Sequence, residues 1–204
     1  MWSGAVCIET GSKQAIVTGI DFSKRSIQYA REIAARDKLS INYVNQNYLD
    51  FKTADRFDLI IMIMCDFCAL SPAQRKQILS RFYTLLEPSG SVLLDVYSLI
   101  TFSKTEEKAM YEADLLNGFW SPNKYYGFLN TFKYEKEKVI LDKYTIVEND
   151  RSRTIYNWLQ CFNPDILEKE FKECGFAIQG YYSDVAGTPF SLQSKEFAVI
   201  AKKI

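Results

Sequence analysis

The chain has 204 residues, enough for one domain that buries roughly 70% of the surface its unfolded chain exposes, without metal or disulfide staples. Its 25 basic and 25 acidic side chains balance, which removes any global electrostatic argument for nucleic acid or an anionic membrane. Histidine is absent, so a Ser-His or Cys-His catalytic pair and a histidine-bearing metal site are excluded. No window reaches the roughly 18 apolar residues of a membrane span, and the N-terminus lacks a basic region followed by an apolar one, so a soluble, cytoplasmic chain is expected.

The first element is a strand ending in "VTGID", where Ile16, Val17, Thr18 and Ile20 supply the β-branched run. Ser23 is a natural N-cap, and Ile27, Ala30, Ile33 and Ala34 then recur at helical spacing. Asp21 therefore stands at the carboxyl end of a strand. There it is either a turn residue favoured by the helix dipole or an acid placed to accept hydrogen bonds from two ribose hydroxyls.

"INYVNQNYLDF" is a short β run that breaks at Asn45 to Asn47, and "FDLIIMIMCDF" is the next strand. Its continuously apolar Leu59 to Met64 reads as buried on both faces, as in a parallel sheet. Cys65 and Cys68 form a C-x-x-C. A redox motif needs a helix N-terminus directly after a strand, and zinc needs two further ligands at matching spacing. Neither is visible in the sequence, so the five cysteines, Cys7, Cys65, Cys68, Cys161 and Cys174, read as reduced thiols and no metal is expected.

Ser71, Pro72 and Gln74 open a helix with a capping box, whose stripe is Ile78, Leu79, Phe82, Leu85 and Leu86. "EPSG" stops it and "SVLLDVYS" follows as a strand. The alternation of strand and helix predicts a doubly wound, mostly parallel sheet. "SKTEEKAMYEADLLNG" reads as a further helix, with Ser103 and Glu106 as its capping box and Gly118 as its stop.

Three strands, "GFLNTFKYE", "KVILDKYTIVE" and "TIYNWLQCF", are joined by short polar turns and predict an antiparallel insertion over about 119–161. The insertion is rich in aromatics, including Phe119, Trp120, Tyr125, Tyr126, Tyr144, Tyr156 and Trp158, most of which read as packing between sheets. A last helix is capped by Asn163 and stopped by Gly175. "FAIQGYYSD" and "KEFAVIAKK" then form a C-terminal antiparallel pair, being too close for a helical crossover.

In its ordered set "VTGIDFS", "NQNYLDF", "FDLIIMIMCDF", "LLEPSGSVLLDV" and a final antiparallel pair, the chain resembles the class I S-adenosylmethionine-dependent methyltransferases. The resemblance runs from about Gly4 to the C-terminus. It implies a Rossmann-like α/β fold over a single domain, residues 1–204, and S-adenosyl-L-methionine as cofactor. It also implies Asp21 on the ribose, Phe22 on the adenine, Asn47 and Tyr48 at the adenine edge, and Met64, Cys65 and Asp66 along the methionine end. Tyr97, Trp120, Trp158 and Tyr182 are its candidates for the acceptor pocket, and no catalytic base is named.

Gly4 falls near the last glycine of the family's Gly-x-Gly-x-Gly loop, and the first strand and most of that loop are expected to be missing. A homodimer is one expected compensation for the lost pairing partner. The expected acceptor is a small molecule, since no basic stripe lines the insertion. Two other readings stand beside this one. One is a nucleotide-sugar or nicotinamide enzyme using the same ribose acid. The other is a truncated, catalytically impaired methyltransferase-like module for binding or dimerisation.

Overall fold

The computed structural model describes residues 15–204, which divide into two compact units, the first running to Arg56 and the second from Phe57 to Ile204. In the first unit, β1 (Val17–Asp21) pairs in parallel with β2 (Ile41–Asn45), with Val17 opposite Ile41 and Asp21 opposite Asn45. Helix α1 (Lys24–Arg36) connects them. The Ser23 hydroxyl accepts from the Ser26 N–H at its start, satisfying one of the donors a helix leaves open there. Ile27, Ala30 and Ala34 fall on one face and pack with Tyr43 of β2. Burying a side chain such as Ile27 contributes about 1.5–3 kcal/mol, so this small core is what holds the helix to the strands.

The second unit holds two four-stranded sheets. In the first of them, β3 (Phe57–Met62) runs parallel to β4 (Leu86–Tyr97), with α2 (Pro72–Leu85) between the two. Two C-terminal strands complete it, β9 (Phe176–Tyr182) and β10 (Glu196–Lys203), in the spatial order β3-β4-β10-β9. β10 is antiparallel to both of its neighbours, as the short connection from β9 predicts. The Ser71–Gln74 capping box forms at the start of α2, and Ile78, Leu79, Phe82 and Leu85 are buried. Asn163 caps the helix Pro164–Glu173, and Gly175 follows it at φ 85, the left-handed conformation a helix stop favours.

The second sheet is all antiparallel, and here the structure corrects the sequence. Its members are β5 (Lys108–Ala113), β6 (Tyr126–Tyr134), β7 (Val139–Val147) and β8 (Ser152–Gln160). The hairpins β6 to β8 follow the sequence reading, but β5 occupies the stretch expected to be helical. Only Leu99–Lys104 forms a helix, α3, and Ser98 rather than Ser103 caps it. The Ala, Met, Glu and Lys of this stretch favour a helix locally. The ladder from Lys108 opposite Thr131 to Ala113 opposite Tyr126 overrides that preference. Beyond it, Asp114, Leu116, Asn117 and Gly118 all have positive φ, which no helix tolerates. The antiparallel sheet thus begins before residue 119. The helix Pro164–Glu173, which closes the segment after it, is α4.

Two smaller corrections concern the other sheet. β3 is not buried on both faces: within its sheet it is the edge strand, and Leu59 is 47% exposed. "EPSG" lies inside β4, where the pairing jumps from Phe57–Leu86 to Leu59–Ser91. Gly90 is required at this irregularity, because a Cβ there would lie 2.8 Å from the Leu86 side chain and 3.0 Å from the Phe57 carbonyl.

Candidate active site

Parallel strands leave their carboxyl ends as loops where ligands are received. In the first unit that end is tightly ordered. The carbonyl of Asp21 accepts from the Gln46 N–H at 3.1 Å and from the Asn45 side-chain amide at 3.0 Å, which joins the tips of β1 and β2. Its carboxylate Oδ1 accepts from the Ser23 N–H at 2.7 Å, so the acid is oriented by the same turn that starts α1. Phe22, between them, is 77% exposed and presents an apolar face beside the acid. Asn47 is exposed and its Oδ1 accepts from the Leu49 N–H at 2.9 Å, building the turn that carries the half-buried Tyr48. The Asn47 oxygen therefore has a local partner in the turn. Gly4 lies outside the described residues.

In the second unit, the chain leaving β3 bends through Met64 and Cys65, both left-handed, at φ 71 and φ 57. The N–H of Cys65 donates to Oδ1 of the buried Asp95 at 2.8 Å. A 3₁₀ turn, Asp66–Ala69, follows, with Asp66 exposed and Phe67 fully buried against Phe162 and Phe171. Arg75 braces this turn from α2. Its guanidinium donates to the Leu70 carbonyl at 2.7 Å, makes a two-pronged pair with Glu170 at 2.8 Å, and lies over the Phe67 and Phe162 rings.

The cluster around Cys65 is acidic, with Cys65, Cys68 and Asp95 buried and Glu196 exposed at its margin. Burial raises the Asp95 carboxyl, and the N–H groups of Cys65, Met64 and Asp95 pull it part of the way back. Burial also raises Glu196, with the Asp95 and Asp184 carboxylates adding to the effect. The Cys65 thiol is raised by its hydrogen bond to Cys68 and by burial, so it stays protonated. Tyr97, opposite Glu196 in the β4–β10 ladder, is pushed up to about 12 by burial and then by the surrounding acidic groups. Its backbone N–H donates to the Cys68 sulfur at 3.2 Å.

The four acceptor-pocket candidates are not gathered in one place. Trp120 packs on Tyr144 at 5.0 Å, within a core of Leu115, Tyr125, Leu129 and Ile146. Trp158 stands opposite Leu141, whose parity along β7 puts it on the other face of the same sheet, and it packs on Tyr134 at 5.4 Å. Tyr97 belongs to the β4 cluster, and Tyr182 pairs with Ala198 in β9. The sequence reading missed Asp95, Glu196 and the role of Cys68. One signal was available, since Asp95 is the single charge inside the apolar run "SVLLDVYS".

Residues 3–90 match a protein family described as a methyltransferase domain. A protein of Geobacillus sp. (strain WCH70), named as a methyltransferase, is 23% identical over 206 residues, covering 98% of this chain and 81% of its own. Among solved structures, the CcbJ methyltransferase from Streptomyces caelestis superposes with a TM-score of 0.76 at 14% identity, covering 98% of this chain and 80% of its own. The glycopeptide N-methyltransferase MtfA complexed with S-adenosyl-L-methionine gives 0.62 at 16% identity, covering 99% and 83%. An amino pentose methyltransferase from Micromonospora echinaspora, bound to the same molecule, gives 0.58 at 12%, covering 99% and 80%. The family match over residues 3–90 and the shared fold make this chain similar to methyltransferases, with the fold of solved S-adenosylmethionine-dependent members.

Proposed function

We propose that the chain transfers a methyl group to a small-molecule acceptor by in-line displacement. The observation that carries this reading is Asp21, oriented by Ser23 at the carboxyl end of β1 beside the exposed Phe22. A carboxylate and an apolar ring side by side suit a ribose with its base, so the residues present fit the cofactor. When bound, S-adenosyl-L-methionine supplies a sulfonium methyl, and displacement of that methyl by an acceptor nucleophile leaves the neutral thioether.

The residues of the chain act by binding and alignment, an effect that supplies about 7–11 kcal/mol in reactions of this kind. Asp21 receives the ribose hydroxyls, Phe22 covers the adenine, and Asn47 and Tyr48 border it. Met64, Cys65 and Asp66 line the methionine end, where the acidic groups Asp95 and Glu196 favour a positive charge. The small-molecule acceptor is supported by the names of two structural neighbours, which act on a glycopeptide and an amino pentose.

Calorimetric titration with S-adenosylhomocysteine tests the reading, alongside an Asp21→Ala variant. Micromolar binding that the variant loses supports it. A wild-type chain that takes up none rejects it. Sedimentation velocity on the same sample reports whether the chain is the homodimer expected from its sequence.

A further inference from the structure

Met64 and Cys65 lie one after the other in the left-handed region, and neither is one of the residue types that visit it readily. Backbone of this kind persists only where the surroundings over-determine it, and it gathers at functional sites. The group that holds it here is Asp95, which is 7% exposed and accepts the Cys65 N–H at 2.8 Å through Oδ1. The Met64 N–H also acts on this carboxylate. Asp95 is itself fixed opposite Ala198 in the β4–β10 ladder, so the clamp stands on the rigid sheet rather than on a loop.

Stability alone does not account for this arrangement. An ionised carboxylate taken out of water is expensive, and a well-packed apolar residue in its place is often neutral or stabilising. We propose that Asp95 is a positioning residue of the methyl-transfer site: it holds the Met64–Cys65 backbone in the left-handed conformation in which that segment receives the methionine end of the cofactor. The proposal rests on the methyltransferase reading, because it assigns Asp95 a task at that site. Asp95 acts through the backbone it holds, and its effect is on affinity and alignment. Around the same segment Glu196 meets the Cys65 sulfur and Cys68 accepts the Tyr97 N–H, whereas Asp95 accepts from the left-handed backbone itself.

The test uses S-adenosylhomocysteine as the probe and calorimetry as the readout, with thermal unfolding of each variant measured in parallel. Asp95→Asn keeps the shape and one acceptor oxygen but removes the negative charge and puts an NH2 donor in place of the second oxygen, so the backbone N–H groups of the turn are held less firmly, and it is expected to weaken binding about tenfold. Its thermal midpoint is expected to stay within about 3 °C of wild type or to rise. Adding Cys65→Gly, which accepts a positive φ without a Cβ penalty, is expected to return most of the lost affinity. Cys65→Val attacks the same link from the other side. It leaves Asp95 in place, opposes positive φ through its β-branch, and should reproduce the loss even if the Asn variant fails to fold.

Asn and Val variants that bind within twofold of wild type overturn the proposal while leaving the methyltransferase reading intact. An Asn/Gly double variant that shows no recovery overturns it too, because the effect then does not pass through the backbone. Wild-type protein that binds no S-adenosylhomocysteine overturns the methyltransferase reading and this inference with it.

Discussion

The carboxyl-terminal ends of β1 and β3 each lead into an acid, Asp21 and Asp66, and the two turns are built in opposite ways. At the tip of β1 the acid is oriented locally: the Asp21 carboxylate accepts from Ser23 two residues on, and its carbonyl is tied to Asn45 and Gln46 at the end of the neighbouring strand β2. At the tip of β3 the backbone conformation depends on a residue 30 positions away, with Asp95 holding Cys65. Arg75 and Glu170, 95 residues apart, brace the turn that follows. The comparison teaches that a loop made of short-range bonds is written into its own residues, whereas one held by distant groups exists only once the sheet has formed.

The largest effect is expected where the second tip is braced. Glu170→Ala leaves the Arg75 guanidinium, with 5% of its side chain exposed, without its carboxylate, and removing one partner of such a pair costs about 3–5 kcal/mol. Thermal unfolding should show the midpoint falling by roughly 6–20 °C. An unchanged midpoint would mean that the distant bracing is dispensable, which removes the contrast.

Next comes the first tip. Asp21→Ala should weaken S-adenosylhomocysteine about 100-fold, close to 2.7 kcal/mol, while leaving the unfolding midpoint almost in place. Ser23→Ala probes the same tip for stability and should cost about 1 kcal/mol through the lost cap, read by denaturant titration. A loss confined to affinity in the first variant and to stability in the second would sharpen the picture of a local loop in which the two roles are separable.

The smallest effect is a dependence on pH, and its sign distinguishes two buried acids. Burial raises the folded-state Asp95 carboxyl, so the folded chain holds that proton more tightly than the unfolded one. The stability difference between wild type and Asp95→Asn should therefore shift in favour of wild type as pH falls from Asp95's raised value toward the ordinary carboxylate range. Glu148 behaves in the opposite sense. Hydrogen bonds from Arg151 and Ser121 hold it down to about 2, so its contribution is complete above the ordinary glutamate range and disappears as pH falls through about 2. Chemical denaturation at a series of pH values, comparing wild type with Asp95→Asn and Glu148→Gln, reads both slopes.

Legibility in the sequence followed the same division. The capped helices were readable because Ser23, Ser71 and Asn163 announce their starts and the apolar spacing their faces. The hairpins β6 to β8 were readable from their short polar turns, and the methyltransferase resemblance from the order of the strand ends. The stretch Lys108–Ala113 was not readable, since its residues favour a helix and only the neighbouring β6 makes it a strand. Trp120 and Trp158 looked equivalent as pocket aromatics until the strand parity put them on opposite faces of one sheet.

By itself the sequence determined the order of most elements and the position of Asp21 at a strand tip. These depend on interactions within a few residues, where the alternatives are few. The tertiary structure alone decided the left-handed Met64–Cys65 turn, the buried Asp95 that holds it and the fourth strand of the antiparallel sheet. Each of these is a local preference overruled by hydrogen bonds to residues far along the chain, and such bonds become available only when the sheet brings their partners within reach.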